Sequence, residues 1–265
     1  MTTMLAKLFG ARTFLDPEVE QWHLDVWATL IERFNEGRSF ADTPVALPTR
    51  DFFPPTEATG YAKAEHVFDC VKAIMRMPDW PCLLEPQPRR TTGQQVAQFV
   101  RIAGDEAPNG TFRVEPDGVV VITYAPDLLD DPMALVATLA HELSHYLLAS
   151  EADLVEDETH ELMTDLTVAF AGLGVFGANS AFSFEQHGDA FSQGWRSRSS
   201  GYLSPRSWAF ALAVFGELRG DDGGMANYLK PEIEGLRRQA VKYLRKKPEL
   251  LGDLRPVEAG SQARS

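Results

Sequence analysis

The sequence predicts a mainly helical α+β fold in which a small β-sheet precedes a central, almost uncharged helix. Three observations carry this. Apolar residues recur at helical spacing over 16–35, 61–77 and 229–245. β-Branched residues gather between 80 and 125, around a Pro-Asp-Gly turn at 116–118. The stretch from Met133 to Leu148 holds two histidines four residues apart, with Glu142 as its one charged side chain. No internal repeat and no clear linker interrupts the chain, so residues 1–252 are expected to form one domain, with a disordered tail at 253–265.

The elements follow in order. Over 16–35, Trp22, Leu24, Val26, Trp27, Leu30, Ile31 and Phe34 make a core-facing stripe, with Asp16 as N-cap and Pro17 at the first helical position. His23 in that stripe reads as a packing or surface residue. Residues 41–60, rich in Pro and Thr, read as a loop that wraps another surface. A second amphipathic helix over 61–77 stops before Pro78, and Trp80 to Leu84 reads as a short strand. Gln95 to Ile102 alternates apolar and polar residues, and Thr111 to Tyr124 reads as a hairpin. Asp130, Asp131 and Pro132 are placed to cap and start the central helix. Beyond an acidic link at 149–160, Glu161 to Phe176 is apolar on most sides and reads as a buried helix, its end loosened by Gly172, Gly174 and Gly177, which allow either termination or close packing. Residues 178–202 read as a loop, Pro205 starts a further buried helix, and Leu229 to Arg245 forms a basic amphipathic one.

Composition narrows the function classes. Hydrophobic residues at 44% and charged residues at 24% are ordinary for a soluble globular protein. A net charge of -13 argues against nucleic acid or an anionic membrane surface as the main partner. No run reaches the roughly 20 apolar residues that span a bilayer, and the first ten residues do not read as a secretory signal. A cytoplasmic location is therefore expected. The two cysteines, Cys70 and Cys82, are too few for a disulfide scaffold and too far apart for a thiolate metal site.

The chemistry lies in the central helix. Residues i and i+4 project from one helical face, so His141 and His145 can reach one metal ion, with Glu142 beside them. This His-Glu-x-x-His arrangement suits zinc, with Glu142 as general base toward a metal-activated water attacking a peptide carbonyl. A two-histidine, one-carboxylate site also suits other divalent metals. For the third ligand, Glu161 lies sixteen residues after the second histidine, and Asp165 is four further on and on the same helical face. Carboxylates on an apolar helix are costly unless something cationic meets them, so the pair is expected to face the metal. One carboxylate would ligate while the other orients a ligand histidine. Glu158 and His160 adjoin Glu161 and are alternative third ligands, ranked after it because only Glu161 has an acidic residue four positions on.

His141-Glu142-Leu143-Ser144-His145 followed by Glu161-Leu162-Met163-Thr164-Asp165 resembles the zinc metallopeptidases of the gluzincin group, across residues 133–176. The resemblance implies a zincin-like domain. It further implies His141, His145 and Glu161 as Zn2+ ligands, Glu142 as general base, Asp165 as the support of a histidine, and a peptide or protein substrate. Gluzincins commonly add a His or Tyr that stabilises the oxyanion, and His187 and Tyr202 are the candidates here. Arg196 and Arg198 are candidates for binding a substrate carboxylate. A reading from a different class is a non-catalytic zinc-stabilised interaction module, or an inactive metallopeptidase homologue. The number of protein ligands separates them, because a structural site is closed by four and a catalytic site keeps one position open.

Overall fold

A computed structural model of the chain describes residues 13–88, 108–154, 159–187 and 202–255, with the backbone alone at 182–187. Seven α-helices and three strands are described: α1 (Pro17–Phe34), α2 (Tyr61–Ile74), β1 (Leu83–Pro86), β2 (Gly110–Val114), β3 (Val120–Tyr124), α3 (Pro132–Ala149), α4 (His160–Phe170), α5 (Gly174–His187), α6 (Pro205–Arg219) and α7 (Pro231–Leu244). The mainly helical α+β class expected from the sequence is the class observed. Among the described residues no helix is long and apolar enough to cross a membrane.

Helix α3 is the hub. Asp131 caps it, accepting from the Ala134 amide at 3.1 Å, and Pro132 occupies its first turn. It packs against α2, α4 and α5 on its helical sides and against β2 and β3 on another. Leu135, Leu139 and Leu143 are fully buried. Each contributes roughly 1.5–3 kcal/mol on burial, so packing holds this helix in place independently of any ion.

The sheet has the order β1-β3-β2, with β1 parallel and β2 antiparallel to β3. Leu84 and Phe112 are both in register with Ile122 and so share one face of the pleat. Phe112 there stacks on His145 of α3, their ring centroids 6.2 Å apart. The hairpin turn closes through Glu115, whose carbonyl accepts from the Gly118 amide at 2.8 Å. Strand β1 starts at Leu83 and not at Trp80 as the sequence suggests. The Trp80 and Pro81 carbonyls are taken by side chains, Lys72 Nζ at 2.8 Å and Tyr146 Oη at 3.1 Å. The alternating stretch Gln95 to Ile102 lies outside the described residues.

Two further expectations are corrected between 161 and 202. The apolar run after Glu161 is two helices, because Gly172 turns the chain with φ +86°. A Cβ there would strike the Pro44 carbonyl, and the Gly172 carbonyl accepts from the Ala46 amide at 2.9 Å. The Pro-rich loop at 41–60 thus packs into the break between α4 and α5. Past the break, α5 continues to His187 through part of what reads as loop. The second half of the chain then closes around α6, which is buried from Trp208 to Gly216 and packs on α4, α5 and α7. Trp27 of α1 meets Phe170 of α4 edge-on at 6.1 Å, tying α1 to the same core. Of the tail expected to be disordered, residues 253–255 are described and Leu254 is buried, while 256–265 lie outside the described residues.

His23 is a core residue. Trp22 and Phe210 pack edge-on against its ring at 5.2 and 5.5 Å. Among the described residues neither ring nitrogen has a hydrogen-bond partner. Burial pushes its pKa down to about 3. An unfolded chain takes up this proton near pH 6.5 and the folded chain does not. The resulting stability is therefore complete above 6.5 and declines as pH falls toward 3, by about 2 kcal/mol between pH 7 and pH 5. Urea unfolding at the two pH values is expected to show this loss, and His23→Leu is expected to remove about that much of it. An equal loss in the variant would show that His23 is not its source.

Candidate metal centre

Helices α3 and α4 meet with their functional side chains turned inward. His141 and His145 stand one turn apart on α3. On α4, two i,i+4 pairs face them, Glu161 with Asp165 and His160 with Thr164. Glu161 Oε2 lies 3.1 Å from His141 Nε2 and 3.4 Å from His145 Nε2, and the two Nε2 atoms are 3.2 Å apart. Four ligands at about 2.0–2.1 Å around a tetrahedral ion lie about 3.3 Å from one another. The three atoms already hold the edge lengths of such a tetrahedron. His141, His145 and Glu161 are the residues that could hold a metal ion among the described residues.

The surroundings fit a cation. Asp165 Oδ1 lies 3.0 Å from His141 Nδ1 and accepts its proton, leaving Nε2 for a metal. Its other oxygen, Oδ2, accepts the Leu203 amide at 2.9 Å, so this buried carboxylate is used at both ends. Burial alone would lower the His141 pKa, but hydrogen bonds with Asp165 and Glu161 outweigh it and raise the imidazole to about 10. A hydrogen bond from His141 is the largest cause that holds the Glu161 carboxyl far below the usual carboxylate range. In the metal-free chain a proton on His141 therefore offsets one of the two carboxylate charges, and binding of a metal here would release it.

Comparisons with protein-family models, with curated proteins and with solved structures find no match. The chemistry has to be read from the site itself.

Glu142 is buried on the sheet side of α3, outside the group of ligand atoms. Burial pushes its pKa up to about 7; His141 opposes the rise and Glu161 adds to it. Gly110 of β2 lies against it, and a Cβ there would come within 2.9 Å of Glu142 Oε1 and 2.6 Å of Thr138 Cγ2. Tyr202 joins the cluster, its ring 5.6 Å from that of His141. Burial, then the Glu161, Asp165 and Glu142 charges, push its hydroxyl up to about 12, so the phenol keeps its proton. The imidazoles are 13% and 12% exposed and the Glu161 side chain 46%, so the cluster opens toward solvent on the glutamate side.

Of the residues singled out in the sequence, His141, Glu142, His145, Glu161, Asp165 and Tyr202 come together here. His187 closes α5, and its side chain lies outside the described residues, as do Glu158, Arg196 and Arg198. His160 is not in the ligand group. Its Nε2 lies behind His145, 3.0 Å from the Nδ1 of that ring. Sequence reasoning misses Thr164, whose hydroxyl lies 3.3 Å from the same Nδ1, although its i+4 spacing from His160 signals a shared face. It also misses Gly110 and Phe112, for which no local signal exists.

Proposed function

We propose that the protein is a zinc-dependent metallopeptidase or a related amide hydrolase of the gluzincin type, built on a zincin-like arrangement of α3 and α4. The observation that supports it best is three ligand atoms at tetrahedral spacing, with a buried carboxyl held near neutrality beside them and outside the ligand set. Three protein ligands among the described residues suit catalysis, whereas a structural zinc site is closed by four.

His141, His145 and Glu161 would hold the ion, and Asp165 orients His141. The bound ion supplies Lewis acidity and makes water acidic enough to ionise near neutral pH. The rest is the work of side chains. Glu142 accepts the proton of the attacking water and returns it to the leaving amine, a task that favours a pKa near the working pH. Tyr202 keeps a hydroxyl proton to donate to the oxyanion of the tetrahedral intermediate. Among the described residues strand β2 is an edge of the sheet, and it runs beside Glu142, so its main chain is placed to pair with an extended peptide.

The test is hydrolysis of a defined peptide mixture by protein loaded with one equivalent of Zn2+, read by mass spectrometry. Cleavage that disappears with a chelator and returns with zinc is the expected result. Protein that holds stoichiometric zinc and cleaves no peptide or simple amide would refute the proposal. A second expectation concerns the contact at Gly110. Gly110→Ala forces the Glu142 carboxylate or β2 to move, and kcat/KM should fall about 10–100-fold with zinc content unchanged. Unaltered kcat/KM would show that this contact does not place Glu142.

A further inference from the structure

The two imidazoles that face the metal position are supported differently. His141 hands its Nδ1 proton to the carboxylate of Asp165, whereas His145 is backed by a third imidazole. We propose that His160 is a positioning residue: it accepts the Nδ1 proton of His145 and so fixes the tautomer that turns His145 Nε2 to the metal. This rests on the reading of His141, His145 and Glu161 as a metal site and is independent of hydrolysis.

The direction of each bond follows from what each atom is able to do. A carbonyl oxygen only accepts, so His160 Nδ1, 3.3 Å from the Leu154 carbonyl, carries the proton of that ring. A neutral imidazole with its proton on Nδ1 has its lone pair on Nε2. That lone pair lies 3.0 Å from His145 Nδ1, which must therefore donate. Thr164 has one hydroxyl proton and gives it to the His160 carbonyl at 2.8 Å. Its oxygen, 3.3 Å from His145 Nδ1, is then also an acceptor. Both neighbours of His145 Nδ1 require a proton on it. The remaining nitrogen, Nε2, faces Glu161 and His141 as a lone pair.

The relay has an anchor. Leu154 ends the short turn Ala152–Leu154. Arg33 of α1 grips that turn through Glu151 at 3.0 Å and Asp153 at 2.8 Å. The choice of imidazole over carboxylate also has a charge consequence. Glu161 and Asp165 balance a divalent ion between them, and a second supporting carboxylate would leave the partly buried cluster with an excess negative charge. A neutral acceptor fixes the tautomer without adding one.

Two variants separate support from ligation. His160→Phe keeps a ring and removes the acceptor, whereas His160→Gln offers a side-chain carbonyl oxygen that can still accept. Zinc affinity is read by competition with a chromophoric chelator. His160→Phe is expected to weaken it about 10–100-fold, His160→Gln to restore most of it, and His145→Ala to lose far more than either. Long-range 1H–15N NMR of the metal-free wild type should show the His145 proton on Nδ1, and in His160→Phe a shift of population toward Nε2. Unchanged zinc affinity and tautomer in His160→Phe would overturn the proposal. So would a loss equal to that of His145→Ala with no rescue by Gln, which would make His160 a ligand. A wild type that binds no zinc would instead bring down the metal centre itself.

Discussion

Glu142→Gln is expected to lower kcat/KM for a cleaved peptide by about 10²–10⁴-fold, the range for losing a positioned general base, while zinc content stays at one equivalent. The substitution preserves shape and removes the ability to accept a proton. Glu142 lies outside the ligand group, so the ion has no reason to leave. Its carboxyl is buried and sits near neutrality because desolvation disfavours its charged form. The neutral amide should therefore fit at no cost in stability, and thermal unfolding of the variant should match or exceed that of the wild type. The measurements are initial rates, zinc by elemental analysis and a melting curve on the same preparation. Wild-type rates in the variant would remove Glu142 from the mechanism.

The second large effect is on stability. The candidate ligands come from two helices, α3 and α4, so an ion at this position would link elements that separate on unfolding. A ligand at a thousand times its dissociation constant stabilises the folded state by about 4 kcal/mol. In a domain of this size that corresponds to a rise in Tm on the order of 10 °C. Zinc should produce such a shift in the wild type. His145→Ala and Glu161→Ala should each melt near the metal-free wild type and respond little to zinc. The metal-free reference should stay folded, because the buried leucines of α3 pack without help from the site. A Tm that ignores zinc in the wild type would argue that the three atoms do not capture an ion.

The legible part of this molecule is what depends on spacing along one helix. His141 and His145 must share a face, and so must Glu161 and Asp165, because both pairs are four residues apart. The caps Asp16 and Asp131 and the Pro-Asp-Gly turn were equally local. Less was readable where tertiary packing decides. Glu161 and His160 are neighbours in sequence, yet one points to the front of the His145 ring and the other to its back. Only the crossing of α3 and α4 determines which is which. The break at Gly172 was legible as a loosening of the helix, but its cause, the loop carbonyl of Pro44 pressed against it, comes from a distant part of the chain. Tyr202 was a candidate by residue type alone. Its place over His141 depends on the Leu203 amide bonding to Asp165, a contact between residues 38 apart.

That same carboxylate makes two parts of the centre inseparable. One oxygen of Asp165 aims the His141 imidazole, and the other pins the backbone next to the phenol of Tyr202. Any rotation of Asp165 that improves one bond spoils the other. The orientation of His141 and the placement of Tyr202 are therefore set together, as two ends of a single lever. A mutation that shifts α6 relative to α4 would then be felt at His141, through Asp165, as well as at Tyr202.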